Sequence, residues 1–170
     1  MLLRSRPVAA ALVLSAIVAA PPPAVAQVAA ARPPIVVQSS IRGIALGMTP
    51  TEVRGALGAP SASAVTPNPI IGKVRIWRYA GLRIMFDGDG RGRTVLSVTS
   101  TSRGDRTAAG VGVGSREADV ARLVRGVRCA TRYGYRSCFV GGEKPGQIAT
   151  DFSISRAGKV SRVTLSRVVD

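Results

Sequence analysis

Few side chains in this sequence are equipped for chemistry. It has no histidine, and only nine carboxylates stand against 24 lysines and arginines. Neither a Ser-His-Asp arrangement nor a histidine-rich zinc site can therefore form. Of the acids, Glu52, Glu117 and Asp119 stand where helix starts favour negative charge, and Asp87 and Asp89 lie in a turn-forming run. Lys73, Lys144 and Lys159 sit in basic or loop contexts with no activating partner for a lysine nucleophile. Asp87-Gly88-Asp89-Gly90-Arg91-Gly92 begins like a calcium loop, but Arg91 takes the fifth position and Val98 the twelfth, where a bidentate Glu is needed. It reads as a hairpin turn. No catalytic residue, metal or cofactor is expected, and the chain reads as a protein that is not an enzyme.

The remaining chemistry is recognition. Trp77 and Tyr79 share one face of a strand with Lys73 and Arg75, while Val74 and Ile76 share the other with Arg78. This is either an exposed aromatic and basic binding surface or a core tryptophan with basic stems running past it. Arg132-Tyr133-Gly134-Tyr135-Arg136 lies at a hairpin tip between Cys129 and Cys138. A disulfide between these two cysteines, the only ones in the chain, would pin the loop, and rigid aromatic and Arg side chains lose little entropy on binding. The candidate binding residues are thus Lys73, Arg75, Trp77, Tyr79, Arg132, Tyr133, Tyr135 and Arg136.

The elements that must position these residues come in two similar stretches. The run Ile44 to Val53 is echoed by Val111 to Val120, with apolar on apolar, glycine on glycine and acid on acid. Thr49-Pro50-Thr51-Glu52 is a capping box with proline at the first helical position. The helix it opens carries Val53, Ala56 and Leu57 on one face and stops at Gly58-Ala59-Pro60. Ser61 to Pro69 reads as a loop. Strands are expected at Val74 to Tyr79, Leu82 to Phe86 and Thr94 to Thr99. Ser115 opens a second helix with Val120, Leu123 and Val124, followed by strands at Val127 to Thr131, Arg136 to Val140, Ile148 to Ser155 and Val160 to Val168. Ile84 and Phe86 correspond to Phe152 and Ile154 on the expected core face.

The chain begins as an exported protein does. Arg4 and Arg6 precede an apolar run from Val8 to Ala20, and Ala24-Val25-Ala26 follows Pro21-Pro22-Pro23, so residues 1–26 read as a secretory signal cleaved after Ala26. No later segment nears the roughly 20 apolar residues of a membrane-spanning helix. Residues 27–40 read as an Ala/Pro-rich linker with an extended piece at Ile35 to Val37. Residues 41–100 make a first unit, 101–110 a linker and 111–170 a second unit containing the disulfide. The formal charge of +15 falls to +13 when Arg4 and Arg6 leave with the signal.

The Gly-Met-Thr-x-x-Glu-Val helix start, the Leu57-Gly58-Ala59-Pro60 helix end and the Trp77-Arg78-Tyr79 strand resemble the BamE/SmpA outer-membrane assembly domain and, in tandem, the beta-lactamase inhibitory protein type. That resemblance implies an α+β fold in which two tandem helix-plus-antiparallel-meander units pack their helices on one face of a joined, curved sheet. It also implies an exposed face that grips a protein. The expected function is an exported, secreted or periplasmic binding module for a protein partner of the cell envelope or extracellular space. The alternative is a basic structural protein docking on anionic polymer or lipid headgroups. Nucleic acid is disfavoured by the export signal.

Overall fold

In the computed structural model, residues 34–88, 91 and 93–168 are described; the expected signal peptide lies outside them. Two two-residue strands, β1 (Ser40–Ile41) and β2 (Ile44–Ala45), form a small hairpin. Helix α1 (Pro50–Leu57) follows, capped as its sequence predicts: the Thr49 hydroxyl accepts from the Glu52 amide, and the Thr49 amide donates to the Glu52 carboxylate. Then come β3 (Ala62–Asn68), β4 (Gly72–Tyr79), β5 (Leu82–Phe86) and β6 (Val95–Ser100). Helix α2 (Glu117–Leu123) precedes β7 (Arg128–Arg132), β8 (Tyr135–Gly141), β9 (Ile148–Ile154) and β10 (Val160–Arg167).

The last eight strands form one antiparallel sheet in the order β3-β4-β5-β6-β10-β9-β8-β7. Its centre is the β6–β10 seam, where Val98 faces Leu165 and Thr99 faces Thr164. This corrects the expected fold class. The protein is mostly sheet, 48% strand against 11% helix, and is not a pair of helix-plus-meander units. Eight- and seven-residue helices, each fully burying a single valine, Val53 and Val120, are too small to make a layer. The backbone hydrogen bonds of the seam make the sheet continuous instead.

Alternation sorts the sheet into two faces. Trp77, Leu82, Ile84, Phe86, Val98, Cys138, Val140, Phe152, Val163 and Leu165 point to the core face. Residues from before β3 and from the stretch between β6 and α2 cover it. Ile35 and Val111, in or beside segments that read as linkers, are almost wholly buried there. Ile35 donates its amide to the Arg106 carbonyl, and Val95 and Gly47 exchange hydrogen bonds with Met48 and Val95 carbonyls.

Two further sequence readings change. The Ser61 to Pro69 stretch is strand β3, paired to β4 from Ala62↔Arg78 to Asn68↔Gly72. It tolerates Pro67 because it is an edge strand with one neighbour. Helix α2 has Arg116 rather than Ser115 at its N-cap, with no side-chain cap. The Ser115 hydroxyl is instead engaged by the Gly112 amide and the Arg106 guanidinium.

A buried ion pair ties the cover to the sheet. Arg42 Nε lies 2.8 Å from Asp105 Oδ1, with side chains 9% and 1% exposed. Ser100 Oγ also donates to Asp105, and Arg42 Nη1 donates to the Ala80 carbonyl.

Candidate functional site

The candidate site is built on the β7–β8 hairpin and the face of the sheet away from the core. Arg132 pairs with Tyr135 across a two-residue turn, Tyr133-Gly134, and one pair further down from Thr131↔Arg136 come Ala130↔Ser137 and then Cys129↔Cys138. The two cysteines are disulfide-bonded. Their sulfurs and a Glu117 oxygen cluster within 4.8 Å, but a disulfide has no thiolate to offer a metal.

Tyr133 and Gly134 both have positive φ, 50° and 80°, the pattern of a type I′ hairpin turn. Glycine adopts it freely; a tyrosine does so at a cost of roughly 1–2 kcal/mol. Two other non-glycine residues among those described share this conformation, and each has an internal use for it. Arg42, also followed by a glycine in a two-residue turn, carries the buried pair with Asp105. Gln38 donates its amide to the buried Thr150 hydroxyl. Tyr133 is 98% exposed and Tyr135 76%, and neither side chain makes a hydrogen bond among the described residues.

The arginines flanking this tip are engaged. Arg132 pairs with Glu143 at 2.6 Å, Arg128 approaches the same carboxylate at 3.6 Å, and both guanidiniums lie over the Phe139 ring at 4.9 and 5.0 Å. The Arg132 hydrogen bond holds the Glu143 carboxyl below its ordinary range, and the same contact raises Arg132. On the opposite face, Arg136 donates to Glu117 at 2.9 Å and so anchors α2.

The other candidate residues lie elsewhere. Trp77 is 3% exposed and meets Phe86 edge to face at 4.8 Å, so it is core and not a binding surface. With Val74 and Ile76 buried on the opposite side, β4 is apolar on both faces along its middle. Tyr79 shares the face of Trp77, is half-buried, and donates to the Gly58 carbonyl at the end of α1. Burial raises its hydroxyl pKa, offset in part by Arg54, which lies over the Trp77 ring at 4.9 Å. Arg75 is half-buried and Lys73 exposed, opposite Val65 and Pro67 on the edge strand. Lys73, Arg75, Trp77 and Tyr79 therefore do not form a surface with the hairpin tip. Asp87, from the calcium-like run, accepts from the Thr94 amide and hydroxyl, which closes the β5–β6 turn; Asp89, Gly90 and Gly92 lie outside the described residues.

Beside the tip, Tyr135, Ser137, Asp151, Ser153 and Arg162 line a hollow of about 540 Å³. A second, of about 310 Å³, is lined by Arg78, Arg83, Thr99, Thr101 and Arg162. Sequence reading missed both. The opposition of Arg78 and Arg83 is written in the short Ala80-Gly81 turn, but their proximity to Arg162 depends on the β6–β10 seam.

No family model matches the chain, and no curated protein matches it. Among solved structures, it is similar to an extracellular protein containing an SCP domain from Bacillus anthracis, at 10% identity and a TM-score of 0.46 over 72% of this chain and 44% of that one. It is also similar to a cysteine-rich secretory protein from Staphylococcus aureus, at 11% identity and a TM-score of 0.42 over 72% and 44%. A third is a DUF4309 family protein from Bacillus subtilis, at 15% identity and a TM-score of 0.42 over 70% and 78%. The chain spans less than half the length of the first two. The resemblance to the BamE/SmpA domain and the beta-lactamase inhibitory protein type read from the sequence is overturned by the fold, in which one eight-stranded sheet with two short helices replaces two helix-plus-meander units. Its motifs turn out to be a capping box at Thr49 and Glu52 and a glycine stop at Gly58, signals common to many short helices. No helix among the described residues is long and apolar enough to cross a membrane.

Proposed function

We propose that this protein is an exported, non-enzymatic binding module that engages a protein partner of the cell envelope or extracellular space through the β7–β8 hairpin tip. The observation that carries this reading is Tyr133. It is held in the left-handed region, fully exposed and without an internal partner, at the end of a hairpin crosslinked by Cys129–Cys138. The two-residue turn demands the left-handed backbone, but nothing internal calls for a tyrosine where Asn or Gly would adopt it more cheaply, and that choice points towards a surface requirement. Tyr133 and Tyr135 present large apolar area with few rotatable bonds, and the disulfide limits the entropy lost on docking. The disulfide itself fits an oxidising compartment, in keeping with the amino-terminal export signal.

The test is capture of partners by the disulfide-bonded mature protein from envelope extract and culture medium, beside a Tyr133→Ser/Tyr135→Ser variant, at low and high salt. Loss of a captured protein with the variant, with capture persisting in high salt, supports the reading. Equal capture by the variant overturns it. Capture that vanishes with salt and is insensitive to the tyrosines would favour the alternative, a basic protein docking on anionic polymer or lipid headgroups.

A further inference from the structure

The open face carries three arginines whose arrangement the fold does not explain. Arg78 on β4 and Arg83 on β5 stand directly opposite each other, and both are exposed. Like charges at directly opposed positions repel, yet no carboxylate lies within 4.0 Å of either among the described residues, and neither side chain has a hydrogen bond there. Arg162 follows a register shift at the start of β10, which sets it opposite Ser153. Its Nε donates to Ser153 Oγ, and Ser153 Oγ donates to Asp151, which leaves the two terminal nitrogens of Arg162 without a protein acceptor among the described residues. Asp151 makes no ion pair with any of the three.

All three arginines line one hollow together with Thr99 and Thr101. Each guanidinium is a planar fork matched to two-pronged binding of an oxyanion. Adjacent strands lie about 4.8 Å apart, so Arg78 and Arg83 are spaced to grip one carboxylate between them. Arg162 lies two strands beyond Arg83 and two residues along β10 from Thr164, the residue in line with Arg83 through Thr99, a backbone separation of roughly 12 Å. An extended peptide places same-side residues about 6.7 Å apart, within reach of flexible arginine side chains at both ends. A hollow of about 310 Å³ has room for a protruding carboxylate side chain.

We infer that Arg78, Arg83 and Arg162 form a binding site for an acidic segment of a polypeptide, Glu- or Asp-bearing and extended, that lies across β4, β5, β6 and β10. This rests on the protein-binding reading and names the chemistry of the partner. Arg162 lies two strands from β8, roughly 10 Å, and Arg83 four strands, roughly 19 Å, so one partner protein can reach both the site and the tyrosine tip.

The experiment uses the mature, disulfide-bonded protein and a fluorescein-labelled ten-residue peptide of alternating Glu and Thr, read by anisotropy. The Arg78→Gln/Arg83→Gln/Arg162→Gln variant should lose at least tenfold in affinity. An Arg91→Gln/Arg116→Gln/Arg125→Gln variant, which removes the same charge away from this face, should lose less than twofold. Comparable losses in both variants, or no binding by the unmodified protein, overturn the site. Competition by inorganic phosphate or by anionic phosphatidylglycerol vesicles as effective as unlabelled peptide, compared at equal charge concentration, also overturns it. The unfolding temperature of the open-face variant should be unchanged or raised, because Arg78–Arg83 repulsion is relieved; a large fall would mean that these side chains serve the fold and would overturn the site. If the Tyr133/Tyr135 variant fails to capture partners while peptide binding is absent, the tip reading survives and only this inference falls.

Discussion

Replacing Tyr133 by Asn separates the needs of the fold from those of the surface. The turn requires positive φ at both central positions, and Asn-Gly is a preferred pair there. An L-residue in the left-handed region costs roughly 1–2 kcal/mol, and Asn, several-fold enriched in that region, recovers part of this. With the side chain 98% exposed, there is little buried area to lose. Tyr133→Asn should therefore stabilise the protein by about 0.5–1 kcal/mol, which for a domain of this size raises the unfolding midpoint by roughly 2–5 °C. Arg42→Asn is the matched control, since Arg42 has φ 53° in an equivalent Ile41-Arg42-Gly43-Ile44 turn. There the exchange removes one partner of a buried pair, and a loss of about 3 kcal/mol is expected. Urea unfolding of both variants, with slopes compared to the unmodified protein, reads the two signs directly. A destabilised Tyr133→Asn protein would refute the claim that the tyrosine has no structural use.

Asp105→Ala should cost about 3–5 kcal/mol, because it strands the Arg42 guanidinium in the core; adding Arg42→Met should recover most of that loss in urea titrations, and failure to recover would deny the pairing its role. Reduction of Cys129–Cys138, which closes a loop with a sequence separation of 9, should lower stability by about 2–3 kcal/mol on the loop-entropy estimate. It should also weaken partner capture, as a freed tip pays more entropy on binding, and unaltered capture would show that the tip needs no crosslink. Glu52 and Glu143 both have folded-state pKa values below the ordinary 4.5, through hydrogen bonds from Thr49 and from Arg132 respectively. Their stabilisation is complete above the unfolded value and drains away as pH falls through the lowered folded values. Melting curves below about pH 4.5 should therefore move to lower temperature, less steeply in Glu143→Gln, and a pH-independent midpoint there would contradict the assignment.

What could be read from the sequence was local. The capping box at Thr49 and Glu52, the Leu82-Ile84-Phe86 alternation and the disulfide hairpin all depend on residues a few positions apart, and each stands in the structure. Strand β3 was hidden because Ser61 to Pro69 is small, polar and proline-bearing, which describes both a loop and a solvent-edge strand. Arg42 and Asp105 meet across 63 residues, and nothing near either one announces a buried pair. Trp77 left both readings open, since alternation assigns a face but not which face is covered. Here the cover comes from the short hairpin, the two helices and the stretch before α2, joined by Ile35 from a segment whose composition reads as linker.

The β6–β10 seam has the widest consequence for function. Residues Val95–Ser100 and Val160–Arg167 pair in register through Thr99↔Thr164, and that pairing sets Arg162 beside the Arg78–Arg83 couple on one side and beside Ser153 and the hairpin tip on the other. Two separate sheets would leave a repelling arginine pair on one and an isolated arginine on the other, neither able to hold a two-point anion. Joining them brings three guanidiniums and two hydroxyl-bearing threonines to a common hollow, and places a strained tyrosine within reach of the same partner. The core face has no comparable freedom: it is filled by Phe86, Phe152, Ile84 and Leu165, so selection for a new partner can act on the open face with small effect on stability. Substitutions at Arg83 or Arg162 should accordingly change what is bound while leaving the unfolding midpoint nearly fixed, and substitutions at Val98 or Leu165, on the buried side of the same seam, should do the reverse.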